Sequence, residues 1–156
     1  VKLITPKHHD GEFFVEVNDI VDVLSEGVDL LFIPNPNEPL ETCFTSDEVR
    51  LIVSEAERYG TIVIIDEAYA NFGAESVARL VSKHRNLVVI QSFSKWFGLP
   101  AIRLGYTIAS SDLTKALHSQ RPAYETNVLS MAAAIWALDN LNYFNDYALE
   151  VIKTRD

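Results

Sequence analysis

Apolar and polar positions follow two rhythms along this 156-residue chain. Residues 30–34, 61–65 and 87–91 include the runs LLFI, TIVII and LVVI, apolar throughout as strands buried on both faces are. Between them apolar residues recur every three or four positions, as in helices with one face inward. A helix is predicted over 18–26, with Ile20, Val23 and Leu24 inward and Gly27 as its stop. The next opens at Thr45, which forms a capping box with Glu48, and sets Val49, Ile52, Val53, Ala56 and Tyr59 on one face before Gly60. Residues 1–5 and 13–15 read as short extended segments, 76–83 as a short helix and 104–109 as a further strand. Helices are also predicted over 112–119, 127–141 and 144–155. The alternation of strands and helices implies an α/β fold with a largely parallel sheet. So few strands leave sheet edges bare, which fits a stretch completed by flanking segments.

Composition narrows the class of function. Hydrophobic residues make up 48% and charged residues 22%, which excludes a disordered or low-complexity chain. No apolar run approaches the roughly 18 residues of a membrane span, and no secretory segment opens the sequence, so a cytoplasmic protein with no membrane partner is expected. Positions 1–57 hold 13 acidic and 3 basic residues, and positions 58–156 hold 9 and 10. The second half is therefore the better host for an anion. With a net charge of −9 and no basic cluster, nucleic acid is not an expected partner. Cys43 is the single cysteine and reads as a buried, reduced thiol outside any disulfide framework. His8 and His9 adjoin in a polar turn rather than at ligand spacing, and no metal site is expected.

In open α/β sheets ligands bind beyond the carboxyl ends of the strands. Three polar segments stand there: Pro34-Asn35-Pro36-Asn37-Glu38-Pro39, Asp66-Glu67-Ala68-Tyr69 and Ser92-Phe93-Ser94-Lys95. If the strands are parallel, all three project from one edge. Asp66 closes an apolar strand, where a carboxylate needs a cation or strong donors. Lys95 sits among Phe93, Trp96 and Phe97, an apolar setting that favours the free amine as a nucleophile. Ser92, Ser94 and Arg103 offer hydroxyls and a guanidinium suited to a phosphate. The run Ile62-Val63-Ile64-Ile65-Asp66-Glu67 also has the form of a nucleoside-triphosphatase metal-binding strand. Glycines occur only at 11, 27, 60, 73, 98 and 105, so the Gly-rich loop that reading requires is missing.

Ile64-Ile65-Asp66-Glu67-Ala68-Tyr69, followed by SFSKWFGLPAIRLGY from Ser92 to Tyr106, resembles the pyridoxal-phosphate aminotransferases of class I/II, most closely the histidinol-phosphate aminotransferase group. The resemblance implies a three-layer fold type I large domain, of which residues 1–156 would be a central, incomplete portion, with 142–156 leading out toward a small domain. It implies pyridoxal 5'-phosphate as cofactor and Lys95, Asp66 and Tyr69 as catalytic residues. Lys95 would form the imine with the cofactor aldehyde and then move the substrate's Cα proton. Asp66 would pair with the pyridine nitrogen and Tyr69 with the phenolic oxygen. Ser92, Ser94 and Arg103 would hold the phosphate, and Asn37 would join the cofactor-binding set. The family's Pro-Asn-Pro-Asn-Asn-Pro-Thr-Gly stretch is matched by PNPNEPLE except at Glu38, Leu40 and Glu41. Glu38 stands where the family has an Asn that donates to the phenolic oxygen. The implied reaction transfers an amino group between an amino acid or amine and a 2-oxo acid, in a homodimer. A decarboxylase or lyase of the same fold and a silent cofactor-binding domain are the alternatives. The resemblance supplies no substrate-carboxylate arginine here, so this chain alone is expected to be inactive.

Overall fold

The computed structural model describes residues 1–40, 42–123 and 125–155. Strands β1 (Lys7–His9) and β2 (Glu12–Phe14) pair as an antiparallel hairpin. Asp10 and Gly11 turn it, both at positive φ, 51° and 88°, the geometry for which Asp-Gly is favoured in two-residue hairpin loops. That turn corrects two expectations: positions 1–5 join no strand, and His8 and His9 lie in β1. Helix α1 (Val17–Ser25) leads to β3 (Leu30–Pro34), α2 (Ser46–Arg58) and β4 (Ile62–Asp66). The predicted capping box is present: Thr45 Oγ1 accepts from the Glu48 N–H, while Glu48 Oε2 accepts from the Thr45 N–H. Short 3-10 turns at Ala70–Phe72 and Ala78–Ser82 connect to β5 (Leu87–Ser92). The second of these replaces the helix predicted over 76–83. A third, Pro100–Ile102, precedes β6 (Gly105–Ala109).

The sheet order is β3-β4-β5-β6. β3, β4 and β5 are parallel, as expected for an α/β fold, and β6 is antiparallel to β5. The segment between β5 and β6 stays at the sheet edge where β5 ends, so the chain must re-enter the sheet in the opposite direction. Leu31, Ile33, Val63, Ile65, Leu87 and Val89 fall on one face and pack with Ile20 and Leu24 of α1 and Val49, Ile52, Val53 and Ala56 of α2. The opposite face is less covered at β3, where Leu30 and Phe32 are 53% and 52% exposed. As an edge strand, β3 is thus buried on one face, not on both as its apolar run suggested.

Helices α3 (Ser111–Ser119), α4 (Val128–Asp139) and α5 (Leu141–Arg155) complete the chain. The break between α4 and α5 falls at Asn140, which caps α4 at its C-terminus, so the predicted boundaries at 141 and 144 move. Residues 142–155 lie within α5; Asp156 lies outside the described residues. A second apolar cluster joins Phe93 and Phe97 to Ala134, Ala137 and Phe144.

Candidate active site

β3, β4 and β5 end at one edge of the sheet, where Pro34, Asp66 and Ile90 stand in register. Gly105, the first residue of β6, pairs with Ser92. The reversal of β6 therefore delivers Arg103 to the edge at which β5 delivers Ser92, Ser94 and Lys95. Asp66 and Tyr69 come from the end of β4. All three polar segments picked out in the sequence thus begin at the same edge.

The amine and the phenol meet across two of these loops: Lys95 Nζ lies 4.8 Å from the centre of the Tyr69 ring. Lys95 is exposed, while Phe93 and Phe97 are each 3% exposed and turn into the second cluster. Trp96 Nε1 donates to the Phe144 carbonyl at 3.2 Å. These rings anchor the loop, correcting the expectation that they surround the amine. Asp66 is half-buried, and its Oδ1 accepts from the Ala68 N–H at 3.0 Å. Ser92 Oγ accepts from the Ser94 N–H at 3.0 Å, which leaves the Ser92 hydroxyl proton as a donor. Arg103 is exposed and left-handed at φ 50°, a conformation uncommon outside glycine. Its Nη1 donates to the Pro100 carbonyl at 3.1 Å, so the guanidinium lies against its own turn.

The loop after β3 divides its residues between two cavities. Asn37 lines the one along the outer side of β3 with Pro34, Leu40 and Thr42. Glu38 is exposed and lines another with Tyr69, Phe72 and Arg155. Of the two, it is Glu38 that shares a cavity with Tyr69. Asn35 is 2% exposed; its Oδ1 accepts from the Phe44 N–H at 2.7 Å and its Nδ2 donates to the Phe44 carbonyl at 3.1 Å. Both ends of that amide are committed to holding the loop. Cys43 is exposed, not buried as expected, because the loop carries it outside the core. Glu41, one of the three departures from the resembled pattern, lies outside the described residues.

One buried carboxylate stands behind this edge. Glu67 is 2% exposed and accepts from Ser76 Oγ at 2.7 Å, the Val77 N–H at 2.6 Å and Gln91 Nε2 at 2.7 Å. Gln91 Oε1 in turn accepts from the Tyr106 hydroxyl. Burial, and then the Glu67 charge, raise the Tyr106 pKa above the usual phenol value of 10.

The model of the family described as aminotransferase class I and II matches residues 3–156. The chain belongs to that family. It is 38% identical over 149 residues to a histidinol-phosphate aminotransferase of Brachyspira hyodysenteriae, covering 93% of this chain and 40% of the relative. With the histidinol-phosphate aminotransferase of Cytophaga hutchinsonii, identity is 32% over 145 residues, covering 92% and 41%. Among solved structures, histidinol-phosphate aminotransferase from Sinorhizobium meliloti in complex with pyridoxal-5'-phosphate superposes with a TM-score of 0.85 at 22% identity. That superposition covers 99% of this chain and 42% of the other, and at such identity it concerns the fold. The chain spans about two-fifths of the length of the curated relatives it matches.

For a class I and II aminotransferase chain, the site residues named from the sequence all lie in the loops and strand ends of one sheet edge. The Glu67, Gln91 and Tyr106 network was not anticipated. Its signal was present: Glu67 and Gln91 each stand two residues beyond a buried strand residue, Ile65 and Val89, and so fall on the same face of the sheet. Among the described residues, no helix is long and apolar enough to cross a membrane, and no group of three or more His, Cys, Asp or Glu could hold a metal ion.

Proposed function

We propose that the complete protein bearing this chain is a pyridoxal-phosphate-dependent aminotransferase, and that the edge described above is part of its cofactor site. One observation carries the reading: Lys95 Nζ lies over the Tyr69 ring, at 4.8 Å, where the loops after β4 and β5 meet. The donor set fits the cofactor group by group. An amine suits its aldehyde, a carboxylate its ring nitrogen and a phenol its phenolic oxygen; two serine hydroxyls and a guanidinium suit its phosphate. The name shared by the relatives supports histidinol phosphate as amino donor and a 2-oxo acid as acceptor. A homodimer in the cytoplasm is part of the same proposal, on the strength of the family.

When bound, pyridoxal 5'-phosphate supplies an electron sink for the electrons of a breaking substrate Cα bond. Lys95 would hold the cofactor through Nζ and, once displaced by the substrate amine, carry the proton to and from Cα as general acid and base. Asp66 would hold a proton at the ring nitrogen. Tyr69 would donate from its hydroxyl, and Ser92, Ser94 and Arg103 would bind the phosphate. Arg103 has guanidinium N–H donors to do so besides the one on the Pro100 carbonyl. Glu38, ionised, can only accept a hydrogen bond, so it would not replace the asparagine donor of the resembled pattern.

Incubating the full-length protein with pyridoxal 5'-phosphate, histidinol phosphate and 2-oxoglutarate tests the reading. Glutamate should form in step with loss of the donor amine. Release of carbon dioxide from an amino acid offered in place of histidinol phosphate, or of an eliminated group, without transamination would make the protein a decarboxylase or lyase. Bound cofactor without turnover would make it a silent binding domain.

A further inference from the structure

Asn35, Glu67 and Gln91 form a polar row directly beyond the apolar row of Ile33, Ile65 and Val89, on the face that packs against α1 and α2. The Glu67 carboxylate is the charged member. Its partners are neutral: a serine hydroxyl, a backbone N–H and a primary amide. Burying a carboxylate among neutral donors is costly, so its use here calls for a reason that an uncharged side chain would not satisfy.

The reason lies in direction. An ionised carboxylate only accepts, so Gln91 must turn Nε2 toward Glu67 and thereby Oε1 toward the Tyr106 hydroxyl. The chain Tyr106 to Gln91 to Glu67 has one polarity and one geometry. It also ties together every segment that carries the proposed cofactor groups. Asp66 immediately precedes Glu67, Ser92 immediately follows Gln91, and Arg103 lies three residues before Tyr106. Successive strand residues point to opposite faces, so a clamp on one face fixes the backbone from which Asp66 and Ser92 project on the other. The Glu67 N–H adds a bond to the Ile90 carbonyl at 2.8 Å, and the Asp66 carbonyl accepts from the Asn35 N–H at 2.8 Å.

We propose that Glu67 is a positioning residue that sets the cofactor-bearing ends of β4, β5 and β6 relative to one another through Gln91 and Tyr106. The assignment rests on the cofactor reading above, and it makes Glu67 no participant in the chemistry. In Glu67→Gln two amides face each other and the chain loses its fixed direction. The double variant Glu67→Gln, Gln91→Glu restores it. Residue 67 would accept from the Val77 N–H and donate to residue 91, which would still accept from Tyr106.

The test uses full-length protein titrated with pyridoxal 5'-phosphate, reading affinity and the induced circular dichroism of the bound cofactor, beside thermal melting. Glu67→Gln should weaken cofactor affinity about tenfold, the scale of one hydrogen bond to a charged group, and diminish the induced signal at temperatures where the variant is folded. The exchanged pair should recover both. A melting temperature that falls while affinity and induced signal stay at wild-type values would mean a merely structural role and overturn the proposal. So would an exchanged pair no better than the single variant. Should Glu67→Gln fail to fold, Tyr106→Phe removes only the outer donor; a diminished induced signal supports the proposal and an unchanged one overturns it. A wild type that takes up no pyridoxal 5'-phosphate would overturn the cofactor reading itself, and this proposal with it.

Discussion

Asp66 and Glu67 are consecutive carboxylates in opposite surroundings. Asp66 closes β4 half-buried, with one backbone N–H on its Oδ1, whereas Glu67 is sunk to 2% exposure beneath three donors. Strand alternation separates them: one side chain projects on the opposite face of the sheet and its neighbour meets the core. On the proposed function, Asp66→Asn removes the carboxylate that holds a proton on the cofactor ring. Turnover of the full-length enzyme should fall about 10²–10³-fold, the scale of losing one preorganised electrostatic partner, with a much smaller loss of cofactor affinity. Parallel steady-state kinetics and cofactor titration check this, and unchanged turnover in the loaded variant would remove Asp66 from its role. Asp66 and Lys95 stood out in the sequence because they stand in polar segments just beyond apolar strand runs, and Tyr69 because it completes the resembled pattern. Glu67 and Gln91 occupy equally polar positions. Glu67 read as a loop residue and Gln91 as the last residue of a strand, because the sequence alone does not reveal which polar residues at a strand end remain covered.

At the level of elements, the direction of β6 decides where Arg103 arrives. Hydrophobic periodicity reports a strand and its faces but not its orientation, so the antiparallel return was not legible, although the strand itself was. Gly105 makes the return possible. A Cβ at that position would stand 2.9 Å from the Gln91 carbonyl oxygen, a backbone atom that cannot swing aside. Gly105→Ala must therefore push β6 from β5 at the pair that joins Gly105 to Ser92. A loss of about 1–3 kcal/mol in stability is expected, typical of overpacking, measurable as a lower denaturation midpoint of the full-length protein. An unchanged midpoint would show that the two strands are not held this closely. The aromatic residues around Lys95 teach a similar lesson. Sequence proximity suggested that they surround the amine, but Phe93 and Phe97 project into the second cluster and the lysine does not. Adjacent side chains in a loop need not share an environment.

Across the whole molecule, the covered and uncovered surfaces match a stretch that spans about two-fifths of its relatives. α4 buries Ser130, Ala134 and Ala137, yet Val128, Leu129, Ile135 and Trp136 on its other sides remain 57–78% exposed. A helix apolar on all sides belongs in an interior. The class of fold was legible because buried strands and amphipathic helices alternate in the sequence with little ambiguity. The exposed face of β3 was not, because its run is equally apolar on both sides and only the assembled sheet shows which side the helices cover. Lys95 Nζ stands at the meeting point of two loops and, on the proposed function, carries the cofactor. Borohydride treatment of the full-length protein with bound pyridoxal 5'-phosphate, followed by proteolysis and peptide mass mapping, tests this role. The reduced cofactor should lie on the peptide containing Lys95 and be lost in Lys95→Ala; cofactor fixed to any other lysine would contradict the role.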